Sequence, residues 1–472
     1  MLNRLLCFCA LIASAAAAVA DRPNIIYILA DDLGYGDLGC YGQKKFATPH
    51  LDQLAARGMR FTQHYAGSTV CAPSRSALMT GQHTGHTAIR GNSEVQPEGQ
   101  HPLPPATTTL AELLQHQGYR TGLFGKWGLG APGSGSEPID QGFDRFFGYN
   151  CQRQAHHYYP YFLWDDDQRV MLWRNFDRAT GTYAPALIQE KALNFIDDAA
   201  AAPGQPFFLF YAHVAPHAEM AATATDLTPF RGQFEPETPF VGTDSGPRFR
   251  QGPYGSQPEP RATFAAMVTM LDRHVGEIVA KLDALGLSDN TLILFSSDNG
   301  PHLEGGHDPD YFDSNGPLRG YKRDLYEGGI RVPLIAHWPG KIPAAHTSDH
   351  ISAQWDLLPT FCELAGVTPP TNIDGISLVP ELTHDKSQVE HDLLYWEFHD
   401  QGGRMALRQG DWKVVRYNVD AAPDSPVELY DLAHDPGETA DIAADHPAIA
   451  SRLDNLMKNA RVPATFPRFN FR

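Results

Sequence analysis

The sequence predicts an α/β protein built on a large, mostly parallel sheet sandwiched by helices, with a smaller C-terminal antiparallel sheet subdomain. Three observations predict it. Four largely apolar runs, Asn24–Asp32, Tyr119–Gly128, Pro206–His217 and Thr291–Gly300, read as strands buried on both faces. Helical patterns lie between them, and strand alternating with helix implies parallel strands wrapped by helices. Beyond about residue 385 short stretches alternate apolar with polar between Gly- and Asp-rich turns, as a half-solvated antiparallel sheet requires.

The first twenty residues carry one Arg, an apolar run from Leu5 to Ala18 and a small-residue end at Ala18-Val19-Ala20, the plan of a cleaved secretory signal. Residues 21–385 then read as a catalytic domain and 386–472 as an α+β subdomain. A first helix has Thr48 as cap, Pro49 at its first position and Gly58 as its stop; others close on Gly118 and Gly286. In the last part, residues 391–400, 403–418 and 426–439 read as strands and 446–460 as a covering helix. With an export signal and no later run of the 18 apolar residues a membrane span needs, the expected location is periplasmic or extracellular.

The formal charge is −18, and because the first twenty residues hold one Arg and no acid, the remainder carries −19. Nucleic acid is thereby a poor partner, and any local cluster of cations becomes more informative because it works against the overall field. Cys7 and Cys9 fall in the leader; Cys40, Cys71, Cys151 and Cys362 are too sparse for a disulfide framework.

Each predicted parallel strand ends in polar groups: Asp31 and Asp32, Lys126, His213 and His217, Asp298 and Asn299. In such sheets ligands bind beyond the carboxyl ends of the strands. Asp31, Asp32, Asp298 and Asn299 are hard oxygen donors of the kind that suits Ca²⁺ or Mg²⁺. Either pair alone reads as a turn or cap; both together after matching strands point to a metal. Arg75, Lys126, His217 and Lys322 form a cationic set able to hold a tetrahedral oxyanion, helped by the helix expected to open after Pro73. Cys71 is either a plain buried thiol or a thiolate activated by Arg75 and that helix. Neither reading explains a sulfur beside hard oxygen ligands; an oxygen-bearing form of the side chain fits better.

CAPSR at 71–75 with SALMTG after it, the Asp31-Asp32 pair, GKWGLG at 125–130, SSDNG at 296–300 and YEGGIRVP at 326–333 resemble, in order, the type I sulfatases of the alkaline phosphatase superfamily. ALRQGDWKVV at 406–415 and LYDLAHDP at 429–436 resemble that family's C-terminal subdomain. The resemblance implies that a formylglycine-generating enzyme oxidises Cys71 to Cα-formylglycine, whose hydrate is a geminal diol. It implies one Ca²⁺ held by Asp31, Asp32, residue 71, Asp298 and Asn299, with Arg75 steadying the diol and Lys126, His217 and Lys322 holding sulfate. The family usually has His where this chain has Gly128, so the base of the second step must come from elsewhere. His213 is the expected replacement, with His83, His86 and His302 as alternatives.

The aromatic run 149–167 can stack on a sugar or pack in a core, and His83, His86 and Arg90 can line a pocket downstream of Cys71. The expected activity is hydrolysis of a sulfate monoester on a sulfated carbohydrate, with aryl sulfates as the simpler substrate and His213 and Arg90 added to the substrate contacts. The alternatives are a phosphodiesterase or phosphonate monoester hydrolase of the same superfamily, or a sulfated-glycan-binding protein without turnover.

Overall fold

The computed structural model describes residues 22–471, so the expected signal segment lies outside the described residues. An eleven-stranded sheet forms the body: β1 (Asn24–Asp31), β2 (Met59–Tyr65), β3 (Arg120–Lys126), β4 (Arg145–Tyr149), β5 (Phe162–Asp165), β6 (Gln168–Met171), β7 (Phe207–Pro216), β8 (Thr291–Ser297), β9 (Arg331–His337), β10 (His346–Ser348) and β11 (Ser352–Ala353). Its order is β10-β2-β9-β8-β1-β7-β3-β4-β5-β6, with β11 beside β2. The five central strands β8-β1-β7-β3-β4 are parallel, and only β5 and β9 run against the rest.

Strand β1 shows why the apolar runs are continuous. Ile26, Ile28 and Ala30 face one core, packed with residues of the helices Ala184–Ala200 and Pro260–Leu285. Ile25, Tyr27 and Leu29 face the other, packed with residues of Leu110–His116 and Leu357–Ala365. Both faces are dry, so alternation has nothing to report. The helix starts are encoded locally. Pro49 and Pro260 stand at first positions, and Thr109 with Glu112 forms a capping box, the Thr109 hydroxyl accepting the Glu112 N–H. Gly118 and Gly286 take positive φ of 88° and 67°, as helix stops should; Gly58 does not, and the first helix ends at Ala56.

The C-terminal strands β12 (Leu394–Phe398), β13 (Arg404–Gln409), β14 (Trp412–Tyr417) and β15 (Glu428–Asp431) form a four-stranded antiparallel meander. One face packs Trp396, Ala406 and Val415 against Tyr65, Ala77 and Trp355 of the body. The other packs Tyr395, Leu407 and Val414 against Leu453 and Met457 of the helix Pro447–Asn459. A buried polar seam joins the bodies. Arg90 and Arg461 meet Glu397 at 2.8 and 2.6 Å, and Lys413 meets Glu327 and Glu438, each at 2.9 Å.

Candidate active site

Strands β8, β1, β7 and β3 lie side by side, so their carboxyl ends deliver Asp298, Asp31, His217 and Lys126 to one rim. Cys71 opens the helix Cys71–Thr80, whose ten residues are all buried. The Cys71 Sγ stands 3.4 Å from Asp31 Oδ1. One ligand atom each from Asp31, Asp32, Cys71 and His217 lie within 4.8 Å of one another. Asp32 adopts a left-handed φ of 65°, a conformation costly for a residue with a Cβ, and its N–H donates to Asp298 Oδ1 at 3.1 Å.

The cations interleave with these acids. Lys126 Nζ lies 2.6 Å from Asp31 Oδ2, Lys322 Nζ 2.7 Å from Asp32 Oδ2, and the Arg75 guanidinium 2.8 Å from Asp298 Oδ2. Arg75 also donates to the Lys126 carbonyl at 2.6 Å, tying two strand ends together. Lys322 Nζ–H donates to His217 Nε2 at 3.1 Å, while His217 Nδ1 bonds the Ala218 carbonyl, which fixes the imidazole in its neutral Nδ1–H form.

Three wholly buried carboxylates in one place distort acidity. Burial opposes ionisation of Asp31, yet Lys126, His217 and Arg75 hold it well below the usual range; burial likewise opposes Asp32, but Lys322 brings it to about 2. Asp298 goes the other way, pushed up to about 7 by burial and by Asp31. Burial and Asp31 push the Cys71 thiol up, while burial and Lys322 push the His217 imidazole well down. The thiol is therefore a poor nucleophile as encoded. Asn299 donates its amide N–H to Asp32 Oδ1 at 2.7 Å, and its Oδ1 is buried without a partner among the described residues. Three carboxylates plus an orphaned amide oxygen fit a hard divalent cation.

Several supports escaped sequence reasoning. Ser74 Oγ donates to the Asp298 carbonyl at 2.5 Å and meets Gln354 Oε1 at 2.8 Å, while the Gln354 amide holds the Ser297 carbonyl at 2.6 Å. Gln354 comes from far along the chain and carries no motif. His156 stacks on His217 with ring centroids 5.1 Å apart and planes 15° apart. Glu304 bonds Arg323 at 2.5 Å and lies 3.8 Å from Lys322; its place soon after the Asp298-Asn299 pair is the signal that could have found it.

Two expected substrate contacts are placed elsewhere and need correction. Arg90 is buried with its guanidinium committed to Glu397 and to the Val462 carbonyl at 2.9 Å. His213 accepts the Ala215 N–H at Nδ1 and meets His274 Nδ1 through Nε2 at 3.2 Å. Both nitrogens are occupied, and no lone pair remains for a base. His302 is similarly engaged, by the Pro216 carbonyl and the Glu304 N–H, and His83 and His86 gather around Asp374. Gly128 has φ of 88°, and a Cβ there would meet Gln152 Nε2 at 2.3 Å. The Gln152 amide fills the room a larger side chain would need. The aromatic run divides: Tyr149 and Tyr158 are buried core, whereas Tyr161 and Phe162 line a cleft.

Comparison with known proteins accords with this geometry. A family profile described as Sulfatase matches residues 23–367, and one described as N-sulphoglucosamine sulphohydrolase, C-terminal, matches 320–462. The chain is 33% identical to arylsulfatase A of Homo sapiens, over 94% of this chain and 88% of that protein. It is 32% identical to N-acetylgalactosamine-6-sulfatase of Canis lupus familiaris, over 90% and 82%. A solved structure of Ps i-CgsB in complex with k-i-k-neocarrahexaose superposes with TM-score 0.75 at 29% identity, covering 93% of this chain and 92% of that one.

Proposed function

Because the chain belongs to the sulfatase family and is a sulfate ester hydrolase, we propose that it cleaves a sulfate monoester on a sulfated carbohydrate, with residue 71 acting as a formylglycine hydrate. The observation that carries this is the meeting of Cys71 with Asp31, Asp32 and His217 within 4.8 Å. A diol at residue 71 supplies oxygen where the thiol supplies sulfur.

Ca²⁺ would be held by Asp31, Asp32, residue 71, Asp298 and Asn299, where it supplies positive charge against the sulfate oxygens and acidifies a neighbouring hydroxyl. Lys126 and Lys322 hold the other sulfate oxygens. Asp298 takes the proton of the attacking hydroxyl, and Arg75, bonded to Asp298, keeps that carboxylate aimed. The hydroxyl oxygen bonds to sulfur as the bond from sulfur to the leaving oxygen breaks. The proton for that oxygen arrives from the His217–Lys322 pair, whose N–H···N contact is 3.1 Å. The second hydroxyl of the diol then expels sulfate and restores the aldehyde, a step a serine could not complete. With His213 excluded by its partners, water is the base we assign to that step. The aromatic cleft and the expected export signal favour a carbohydrate over a free aryl sulfate as the natural substrate. We further place the domain boundary near residue 385, in the irregular segment between Leu382 and Leu394.

Tryptic mass spectrometry of active protein should find residue 71 lighter than cysteine and reactive to hydrazide. Turnover of 4-nitrophenyl sulfate should exceed that of bis(4-nitrophenyl) phosphate. Full activity with unmodified cysteine, or a preference for the diester, overturns this reading.

A further inference from the structure

Linked to His217 through His156 and Gly252 is a cleft of about 400 Å³ whose lining includes Arg153, Arg169, Arg250, Glu98, Tyr161 and Phe162. Three guanidinium groups against one carboxylate run counter to a chain of net charge −18. Arg169 is balanced by Glu98 at 2.9 Å and stacks over Phe162 and Trp164, 4.5 and 5.1 Å from the ring centroids. Arg153 holds the Gln251 carbonyl at 2.7 Å and reaches Glu94 at 3.4 Å.

Arg250 differs from both. It donates to the Asn175 and Ala179 carbonyls at 2.7 and 3.0 Å, and no carboxylate among the described residues lies within 4.0 Å of it. Its guanidinium lies 4.9 Å from the Phe249 ring centroid and 5.7 Å from that of Tyr161. Its φ of 52° is in the left-handed region, where an arginine is strained. Strain of this kind persists where the surrounding structure holds it, and it clusters at binding sites.

The cleft is one imidazole away from the chemistry. His156, stacked on His217, bonds the Gly252 carbonyl through Nδ1 at 2.8 Å, and the Gly252 N–H donates to His157 Nε2 at 2.9 Å. Gly252, Gln251 and His157 all line the cleft, so its wall and the partner of His217 are one packed unit. Rings offer flat faces to a pyranose, and a guanidinium fork matches a sulfate or carboxylate oxygen pair.

Resting on the sulfatase reading above, we propose that this cleft is a second subsite that takes an anionic sugar residue of the substrate through Arg250, so that the preferred substrate is a polyanionic oligosaccharide and not a single sulfated sugar.

The test uses sulfated hexasaccharides of chondroitin, heparin and κ-carrageenan as probes, with neutral agarohexaose as the uncharged control. Binding is read by calorimetry and catalysis by hydrolysis of 4-nitrophenyl sulfate. At least one sulfated probe should bind and inhibit, agarohexaose should bind at least tenfold more weakly, and Arg250→Gln should weaken the sulfated probe tenfold or more while hydrolysis of 4-nitrophenyl sulfate stays within twofold. Arg169→Gln should lower affinity in the same direction and guards against a folding defect in the first variant. Binding unchanged in both variants, equal binding of the neutral probe, or no binding by any sulfated probe overturns the subsite. Loss of 4-nitrophenyl sulfate turnover in the unaltered, modified protein would instead sink the catalytic reading, with the calorimetry still deciding the subsite.

Discussion

Glu397 and Asp298 are both wholly buried carboxylates that meet an arginine at 2.8 Å, yet their acidities move apart. Burial opposes ionisation of Glu397, but His399, Arg461 and Arg90 bring it down to about 2. Both its oxygens are well supplied with donors: Arg90, His399 and Arg461 on Oε1, Arg461 and the Tyr395 hydroxyl on Oε2. Asp298 shares its surroundings with Asp31 and Asp32 and rises to about 7. Around Glu397, cations outnumber the acid; at the strand ends the acids compete for them. The difference teaches that a buried charge does not by itself mark a site, and that its neighbours decide which way its acidity moves.

Four substitutions sharpen or break that contrast. Asp298→Ala has the largest expected effect, a loss on the order of 10⁴-fold in kcat/KM or more, together with weaker Ca²⁺ binding by calorimetry. A normal Ca²⁺ affinity would remove Asp298 from the cation site.

Next comes His217→Ala, which should slow sugar sulfates by about 10²–10⁴-fold and 4-nitrophenyl sulfate far less, since a good leaving group needs little protonation. Equal losses on both would remove His217 and its lysine from proton delivery.

Glu397→Ala acts on the seam and should cost about 3–5 kcal/mol of unfolding free energy, because Arg90 is left buried without its counter-charge. The catalytic constants of the protein that remains folded should hold. Acid offers a second reading of the same residue. Its acidity is lowered on folding from 4.5 to about 2, so its stabilisation is fully present above pH 4.5 and lost as pH falls towards 2. Urea unfolding of wild type and Glu397→Gln should diverge above that window and converge below it; parallel curves would deny Glu397 its role.

The smallest effect is expected at Gly128. Gly128→Ala should cost about 1–2 kcal/mol from its left-handed backbone, partly relieved by adding Gln152→Ala, which opens the space the new Cβ needs. A neutral Gly128→Ala would show that the backbone there is free to move.

Much of this architecture is legible in the residues alone. The four apolar runs form the central strands because both sheet faces are covered, and acidic or cationic residues directly after such runs have to emerge at one rim. Arg90 departs from expectation because proximity in sequence to Cys71 ignores the helix between them. Ten residues carry the chain about 15 Å away, so the segment beyond Gly81 belongs to the seam with β12. His213 departs by a different route: β7 continues to Pro216, which leaves His213 inside the strand while His217 clears its end. Gln354 and His156 reach the centre from remote segments, and only the folded chain brings them there.

The complete burial of the helix that begins at Cys71 sets an order of events in the life of the polypeptide. Once the sheet, the helix Leu357–Ala365 and the C-terminal meander have closed around it, the thiol is 1% exposed and sits behind Lys126 and Asp31. On the formylglycine proposal, an enzyme that oxidises Cys71 therefore competes with folding, and it has to act first. A sequence change that hastens closure would yield stable, correctly folded and inactive protein, its fault lying in when the fold formed and leaving no trace in its shape.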